Sequence, residues 1–256
     1  MQHQNAFQLT GKNIVITGAS SGIGRQCAIT CGSMGARVLL IGRNKDKLAE
    51  TLEMMNKSAA HQICATDLTD FEATADVLKD LNTTFGKIHG IVHCAGISTA
   101  LPLRSITPAK LEQYFLTNVH AGIQLSKNLT KPAFLTEEGA SIIFLTSVMG
   151  VVGEVGKTIY SLTKGALVAG SKSMALELAP KKVRVNCISP GVVVTPMSSN
   201  AVYSQDEEAL ERVTSYHPLG LGKPEDIANT AVFLLSDASR WITGTNIIVD
   251  GGYTAK

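Results

Sequence analysis

Tyr160 and Lys164 stand four residues apart in Tyr160-Ser161-Leu162-Thr163-Lys164. The residues around them carry a strong helical pattern, and that spacing projects both side chains from one face. A free tyrosine has a pKa near ~10 and exchanges protons poorly at neutral pH. An ammonium beside it favours the phenolate and moves the phenol toward the working range, so the pair reads as a general acid–base. Ser147 closes an apolar strand in Phe144-Leu145-Thr146-Ser147. A hydroxyl there can polarise a carbonyl oxygen facing the tyrosine. Taken alone, the Tyr–Lys spacing also describes an ordinary surface pair, so the elements that position it must decide.

A second chemical stretch, Thr17–Gly24 (TGASSGIG), follows the apolar run Ile14-Val15-Ile16. Gly18 permits a tight turn, Gly22 lets an anion approach the backbone, and Gly24 lets the next helix pack on the sheet. That helix starts at about Ile23, its free N–H groups and positive dipole end suiting a phosphate. The spacing is G-x-x-x-G-x-G rather than G-x-G-x-x-G, and a plain strand–helix turn would look similar. The end of the second strand, Leu40-Ile41-Gly42-Arg43-Asn44, offers no carboxylate before Asp46. In dinucleotide folds this position reads the adenosine ribose, where an acid favours NAD. Arg43 instead presents a cationic fork to a 2′-phosphate, which predicts NADP(H), with NAD(H) the weaker fit.

These residues need a scaffold that brings strand ends together. Strand patterns are expected at Asn13–Thr17, Arg37–Ile41, His61–Ala65, Ile88–His93, Ser141–Thr146, Val183–Ile188 and Asn246–Val249. Several are near-continuous apolar runs, as in strands buried on both faces. Helical patterns fall between them at Gly22–Met34, Lys45–Asn56, Phe71–Thr84, Pro108–Phe134, Thr158–Ala179 and Pro224–Ser236. This alternation predicts an α/β fold: one doubly wound parallel sheet with helices on both faces. The charged, mixed stretch at about 195–221 reads as an insertion covering a substrate.

Composition narrows the class. The chain has 256 residues, 45% hydrophobic and 17% charged, enough for one large α/β domain over 1–256. A net charge of +2 gives no electrostatic case for nucleic acid. No apolar run approaches the ~20 residues of a membrane span. The start, MQHQNAFQLTGK, does not resemble a secretory signal. Cys27, Cys31, Cys64, Cys94 and Cys187 form no C-x-x-C pair and no zinc spacing, which predicts free thiols in a reducing cytoplasm.

In order along the chain, Thr17–Gly24, Asp67-Leu68, His93-Cys94-Ala95-Gly96, Asn118, Ser147, Tyr160 with Lys164, Pro190-Gly191 and Asp250-Gly251-Gly252 resemble the compact short-chain dehydrogenase/reductases. The resemblance spans essentially the whole chain. It implies a Rossmann-type sheet of seven parallel strands in the order 3-2-1-4-5-6-7, and a homotetramer. It implies hydride exchange between a nicotinamide and a ketone or secondary alcohol. Tyr160 would be the acid–base, Ser147 would polarise the carbonyl, and Lys164 would bind the nicotinamide ribose and lower the tyrosine pKa. Asn118 would sit at a helix irregularity and hold a water linked to Lys164. No metal is required, because Ser147 and Tyr160 stabilise the developing alkoxide. The implied cofactor site comprises Gly18, Ser20, Ser21, Gly22, Ile23, Gly24, Arg43, Asn44, Asp67, Leu68, Cys94, Ala95, Gly96, Pro190, Gly191, Val193 and Thr195, with Tyr160 and Lys164. Asp67 would lie near the adenine; Pro190, Gly191 and Thr195 would line the carboxamide.

Two departures stand out. His93-Cys94 replaces the family's Asn-Asn, so His93 is expected as a scaffold residue, with some loss of bracing between strands, and Cys94 near the cofactor. The acidic Glu137-Glu138 replaces a basic stretch common where the substrate rides on an acidic carrier protein. Lys181 and Lys182 partly restore a basic patch. Met149, Val151, Met197 and Tyr203 suit an apolar pocket wall, and Ala209, Leu210 and Val213 the inner face of a lid helix. The leading reading is an NADP(H)-linked carbonyl reductase on a small-molecule substrate. A 3-oxoacyl-thioester reductase, a sugar or polyol dehydrogenase, and a non-catalytic dinucleotide sensor are the alternatives.

Overall fold

The computed structural model describes residues 5–57, 59–199 and 206–255. β1 (Asn13–Thr17) shows why the apolar strands lack alternation. Ile14 and Ile16 enter the core on one sheet face, and Val15 enters the core on the other. β2 (Arg37–Gly42) divides likewise, with Val38 and Leu40 on the first face and Leu39 and Ile41 on the second. Burying both faces requires apolar side chains at every position.

β3 (Gln62–Ala65), β4 (Gly90–His93), β5 (Ala140–Leu145), β6 (Val183–Pro190) and β7 (Asn246–Val249) complete a parallel sheet of order 3-2-1-4-5-6-7. This matches the expected topology. α1 (Gly22–Ser33), α2 (Lys45–Met54) and α9 (Pro224–Leu235) cover one face. α3 (Phe71–Thr84), α5 (Ala121–Leu129) and α6 (Thr158–Leu178) cover the other. Parallel pairing aligns the carboxyl ends: Thr17 pairs with Ile41 and His93, and Pro190 with Val249. The ends of the strands therefore deliver their loops to one edge.

The deviations from the expected boundaries have local causes. β3 begins after His61, whose Nδ1 accepts from Val38 N–H at 3.2 Å. β4 begins after His89, whose Nδ1 accepts from Asn13 N–H at 3.0 Å. In both cases an imidazole takes a backbone donor at the start of a strand. The long helix expected over 108–134 is three pieces: α4 (Pro108–Phe115), a π turn at Leu116–His120, and α5. It ends at Leu129, short of Pro132, because the residue preceding a proline is kept out of the α region. The 195–221 segment contains α7 (Pro196–Ser199) and α8 (Glu207–Ser215). Tyr203 lies outside the described residues.

Candidate active site

The loop between β1 and α1 is built on its glycines. Gly18 has φ +65°, and a Cβ there would come within 2.8 Å of Ala95 N. A Cβ on Gly24 would overlap the Gly18 carbonyl oxygen. Gly22 has φ +54° and faces Thr195, which a Cβ would meet at 3.4 Å. Ser21 caps α1 without a side-chain hydrogen bond, and the first turn carries no acid. The positive end of the helix is therefore open to an anion.

Two residues that sequence reasoning missed hold this loop. Arg25 donates to Ser20 O at 2.8 Å and Thr51 Oγ1 at 3.0 Å, and pairs with Glu50 at 3.0 Å. Thr51 Oγ1 donates to Ala19 O at 2.9 Å. The available signal was an arginine inside the glycine-rich helix start.

At the end of β2, Arg43 is exposed and forms no ion pair among the described residues. Asp67, after β3, accepts from Thr69 N–H at 2.9 Å and Thr69 Oγ1 at 2.7 Å. These bonds hold its carboxyl below the usual range, with the Arg43 charge assisting. Arg43 and Asp67 thus share one corner, with Leu68 buried beside them. Asn44 is partly committed elsewhere: its side-chain oxygen caps α2 by accepting from Lys47 N–H at 2.9 Å. Cys94 packs against the core beneath the loop.

The third corner holds the chemistry-bearing set. Ser147 follows β5, and its Oγ accepts from Met149 N–H at 3.2 Å, while its hydroxyl draws the Tyr160 phenol pKa down. Lys164, 5% exposed, donates from Nζ to Leu145 O at 2.7 Å. Nζ lies 5.5 Å from the Tyr160 ring centre. Burial pushes the Tyr160 phenol up to about 12, and the Ser147 bond works against that rise. Burial pulls Lys164 down to about 8. Desolvation is the largest influence on both groups.

Asn118 lies in the π turn, as the resemblance implied. Its Oδ1 accepts from Ile97 N–H at 2.8 Å, and its Nδ2 donates to Ile97 O at 3.0 Å and Thr163 Oγ1 at 3.1 Å. The side chain clamps the loop after β4. Gly96 keeps the space between that amide and Lys164: a Cβ would lie 3.2 Å from Asn118 Oδ1 and 3.7 Å from Nζ.

After β6, Val193 is buried in the core, so its side chain does not line the cleft. It pairs with Gly222 through bonds from Gly222 N to Val192 O and from Val194 N to Gly222 O. Val193's own N–H and C=O stay outside that bridge. Thr195 is braced by Ser198, whose Oγ accepts from Thr195 N–H at 2.8 Å. His217, a further residue missed from sequence, carries the turn at Gly191. Its Nε2 accepts from Val192 N–H at 3.1 Å and its Nδ1 donates to Val213 O at 2.8 Å.

The donor set fits a phosphorylated dinucleotide. Glycine backbone and a helix N-terminus would face its phosphates, the Arg43 guanidinium, without an ion pair among the described residues, would meet its ribose phosphate, and a buried ammonium stands beside a phenol. No group of three or more His, Cys, Asp and Glu side chains among the described residues is arranged to hold a metal.

A family model described as "Enoyl-(Acyl carrier protein) reductase" matches residues 18–254. The L-xylulose reductase of Bos taurus is 32% identical over 253 residues, covering 97% of this chain and 99% of that protein. The chain belongs to the short-chain dehydrogenase/reductase family. The 3-oxoacyl-[acyl-carrier-protein] reductase FabG of Thermotoga maritima is 30% identical to this dehydrogenase/reductase over 250 residues, covering 96% and 99%. A solved Beutenbergia cavernae structure, assigned as an NAD(P)-dependent gluconate 5-dehydrogenase with NADP bound at low occupancy, superposes with a TM-score of 0.91. It is 31% identical and the match covers 98% of this chain and 100% of that one. The chain is thus an oxidoreductase of this family.

The acidic Glu137-Glu138 stretch leads into the amino end of β5, while Ser147 follows its carboxyl end. Its charge sits at the opposite edge of the sheet from Ser147. Lys181 and Lys182 precede β6 at that same far edge.

Proposed function

We propose that this chain interconverts a ketone and a secondary alcohol using NADP(H), with Tyr160 as the acid–base. The carrying observation is the gathering of Ser147, Tyr160 and Lys164 at the carboxyl edge of the sheet, where the Ser147 hydroxyl draws the Tyr160 pKa down and Lys164 Nζ lies 5.5 Å from the tyrosine ring centre. A bound nicotinamide supplies or accepts the hydride. Ser147 orients the carbonyl oxygen, and Tyr160 gives it a proton in reduction and takes one back in oxidation. A phenol held up at about 12 stays protonated at neutral pH, the form needed to reduce a carbonyl. Lys164 Nζ, with one bond on Leu145, has two hydrogens left for the ribose hydroxyls. Arg43 would meet the 2′-phosphate, Gly18–Gly24 the diphosphate, and the Val193 backbone and Thr195 the carboxamide.

A 3-oxoacyl thioester is favoured over a polyol by the rim of the cleft. Val151, Val152 and Val194, on the loops after β5 and β6, and Met197 of α7 expose apolar surface. The continuous sheet supports one domain over 1–256, with 195–221 covering the substrate. The open edge of β7, with Ile248 partly exposed, supports assembly as a homotetramer. Among the described residues no helix is long and apolar enough to cross a membrane. Five free cysteines suit a reducing cytoplasm.

The test is NADPH oxidation across acyl thioesters, keto sugars and cyclic ketones. Tyr160→Phe is expected to keep NADPH affinity and lose ~10²–10⁴ in turnover. Full turnover in that variant would overturn the assignment.

A further inference from the structure

His93 replaces an asparagine of the family pattern, and its surroundings are specific to this chain. The imidazole is 6% exposed and stacks on Phe144 of β5, ring centres 4.7 Å apart and 12° from parallel. Nε2 lies 2.8 Å from Ser126 Oγ on α5. Nδ1 is the one buried side-chain nitrogen or oxygen among the described residues that has no protein partner. In either tautomer, one ring nitrogen bonds Ser126 and the other has a bond left to make.

A cavity of about 10 Å³ lies against this ring, bounded by Thr17, His93, Asn118 and Gly122 among others. That is about the space of one water-sized probe. Thr17 Oγ1 already accepts from Ala95 N–H at 3.1 Å, so its own hydrogen is free to donate. A Cβ on Gly122 would lie 3.5 Å from Nδ1, so the glycine preserves the space. No charged side chain bounds the cavity, and an ion has no counter-charge there.

We infer that the cavity is a single-water site held by His93 Nδ1 and Thr17 Oγ1, and that through it His93 is a positioning residue for the π turn bearing Asn118. Burial holds the ring far below the usual histidine range, to about 3, so it stays neutral at working pH. The water ties the ends of β1 and β4 to the wall that contains Asn118, whose amide grips the Ile97 backbone. The effect on turnover rests on the function proposed above; the water site does not.

A high-resolution crystal structure is expected to show one ordered water within ~3 Å of both Nδ1 and Thr17 Oγ1. A dry cavity would overturn the site. In solution, Gly122→Ala should displace the water and lower Tm in wild type. The added Cβ also meets Phe144 Cε1 at 3.2 Å in either background, so the loss should be smaller, not absent, in His93→Phe, which keeps the stack and removes the nitrogen. Additive effects of the two changes would contradict the inference. If His93→Phe does not fold, His93→Leu, which also lacks the nitrogen, replaces it in the cycle. For positioning, His93→Phe should speed amide exchange at Ile97 and lower kcat about tenfold, with KM for NADPH within about twofold; His93→Asn should recover part of the loss. Unchanged Ile97 exchange would refute the positioning role. If the wild type turns over no carbonyl, the functional reading falls, while the water and the exchange measurement still decide this inference.

Discussion

Lys164→Met is expected to make the cofactor-free protein more stable at neutral pH while removing turnover. Lys164 is buried, and desolvation draws its pKa from the ordinary 10.5 to about 8. In the unfolded chain it returns to 10.5. Between those values the unfolded state binds more protons than the folded state, so wild-type stability rises with pH across that window. Below about 8 both states carry the proton, and the burial cost stands in full. A gap of about 2.5 pH units, at ~1.36 kcal/mol each, amounts to about 3 kcal/mol. Methionine keeps most of the stem and forfeits the 2.7 Å bond to Leu145 O, worth ~1 kcal/mol. The net gain of about 2 kcal/mol corresponds to roughly 4–8 °C in Tm for a chain of this size. The assay is thermal or urea unfolding of wild type and variant, without cofactor, at pH 7 and pH 10. Groups common to both proteins cancel in the difference. The variant's advantage should be largest at pH 7 and nearly gone at pH 10. A pH-independent gap, or a less stable variant at pH 7, would refute the claim that this lysine is held charged against its surroundings for function.

Three further outcomes follow from the same geometry. Arg43→Asp should cut NADPH affinity by ~10–100-fold, the worth of charged hydrogen bonds at ~1.5–3 kcal/mol, and spare NADH; equal losses for both cofactors in a binding titration would contradict the ribose assignment. Gly22→Ala should cost ~1–2 kcal/mol of backbone strain, since its Cβ meets only Thr195 at 3.4 Å. Gly24→Ala must displace the Gly18 carbonyl, so it should lose more Tm and more NADPH binding; equal effects would argue against a rigid loop. Ser147→Ala removes the hydroxyl that draws the Tyr160 pKa down, and should reduce kcat by ~10²–10³ with NADPH affinity unchanged; undiminished kcat would show that the hydroxyl does not act.

Much of this architecture was legible before any coordinates. Runs such as Ile14-Val15-Ile16 announce strands buried on both faces, and the strand–helix alternation leaves few topologies open. The errors have a common source in side chains acting on distant backbone. His61 and His89 take backbone donors from β2 and β1 and shorten their own strands. Arg25, Thr51 and His217 brace the site through partners remote in sequence or hidden by the turn, which no local motif announces.

The sequence by itself determined the sheet, the glycine turn, the Tyr–Lys face and the cationic corner at Arg43. Each follows from local sterics, periodicity or charge. Only the tertiary structure decided the protonation balance, because burial is a property of the packed whole. Burial pushes the Tyr160 phenol up and pulls the Lys164 ammonium down. The tertiary structure also placed Glu137-Glu138 at the far edge of the sheet, since parallel pairing sends the two ends of every strand to opposite sides of the molecule.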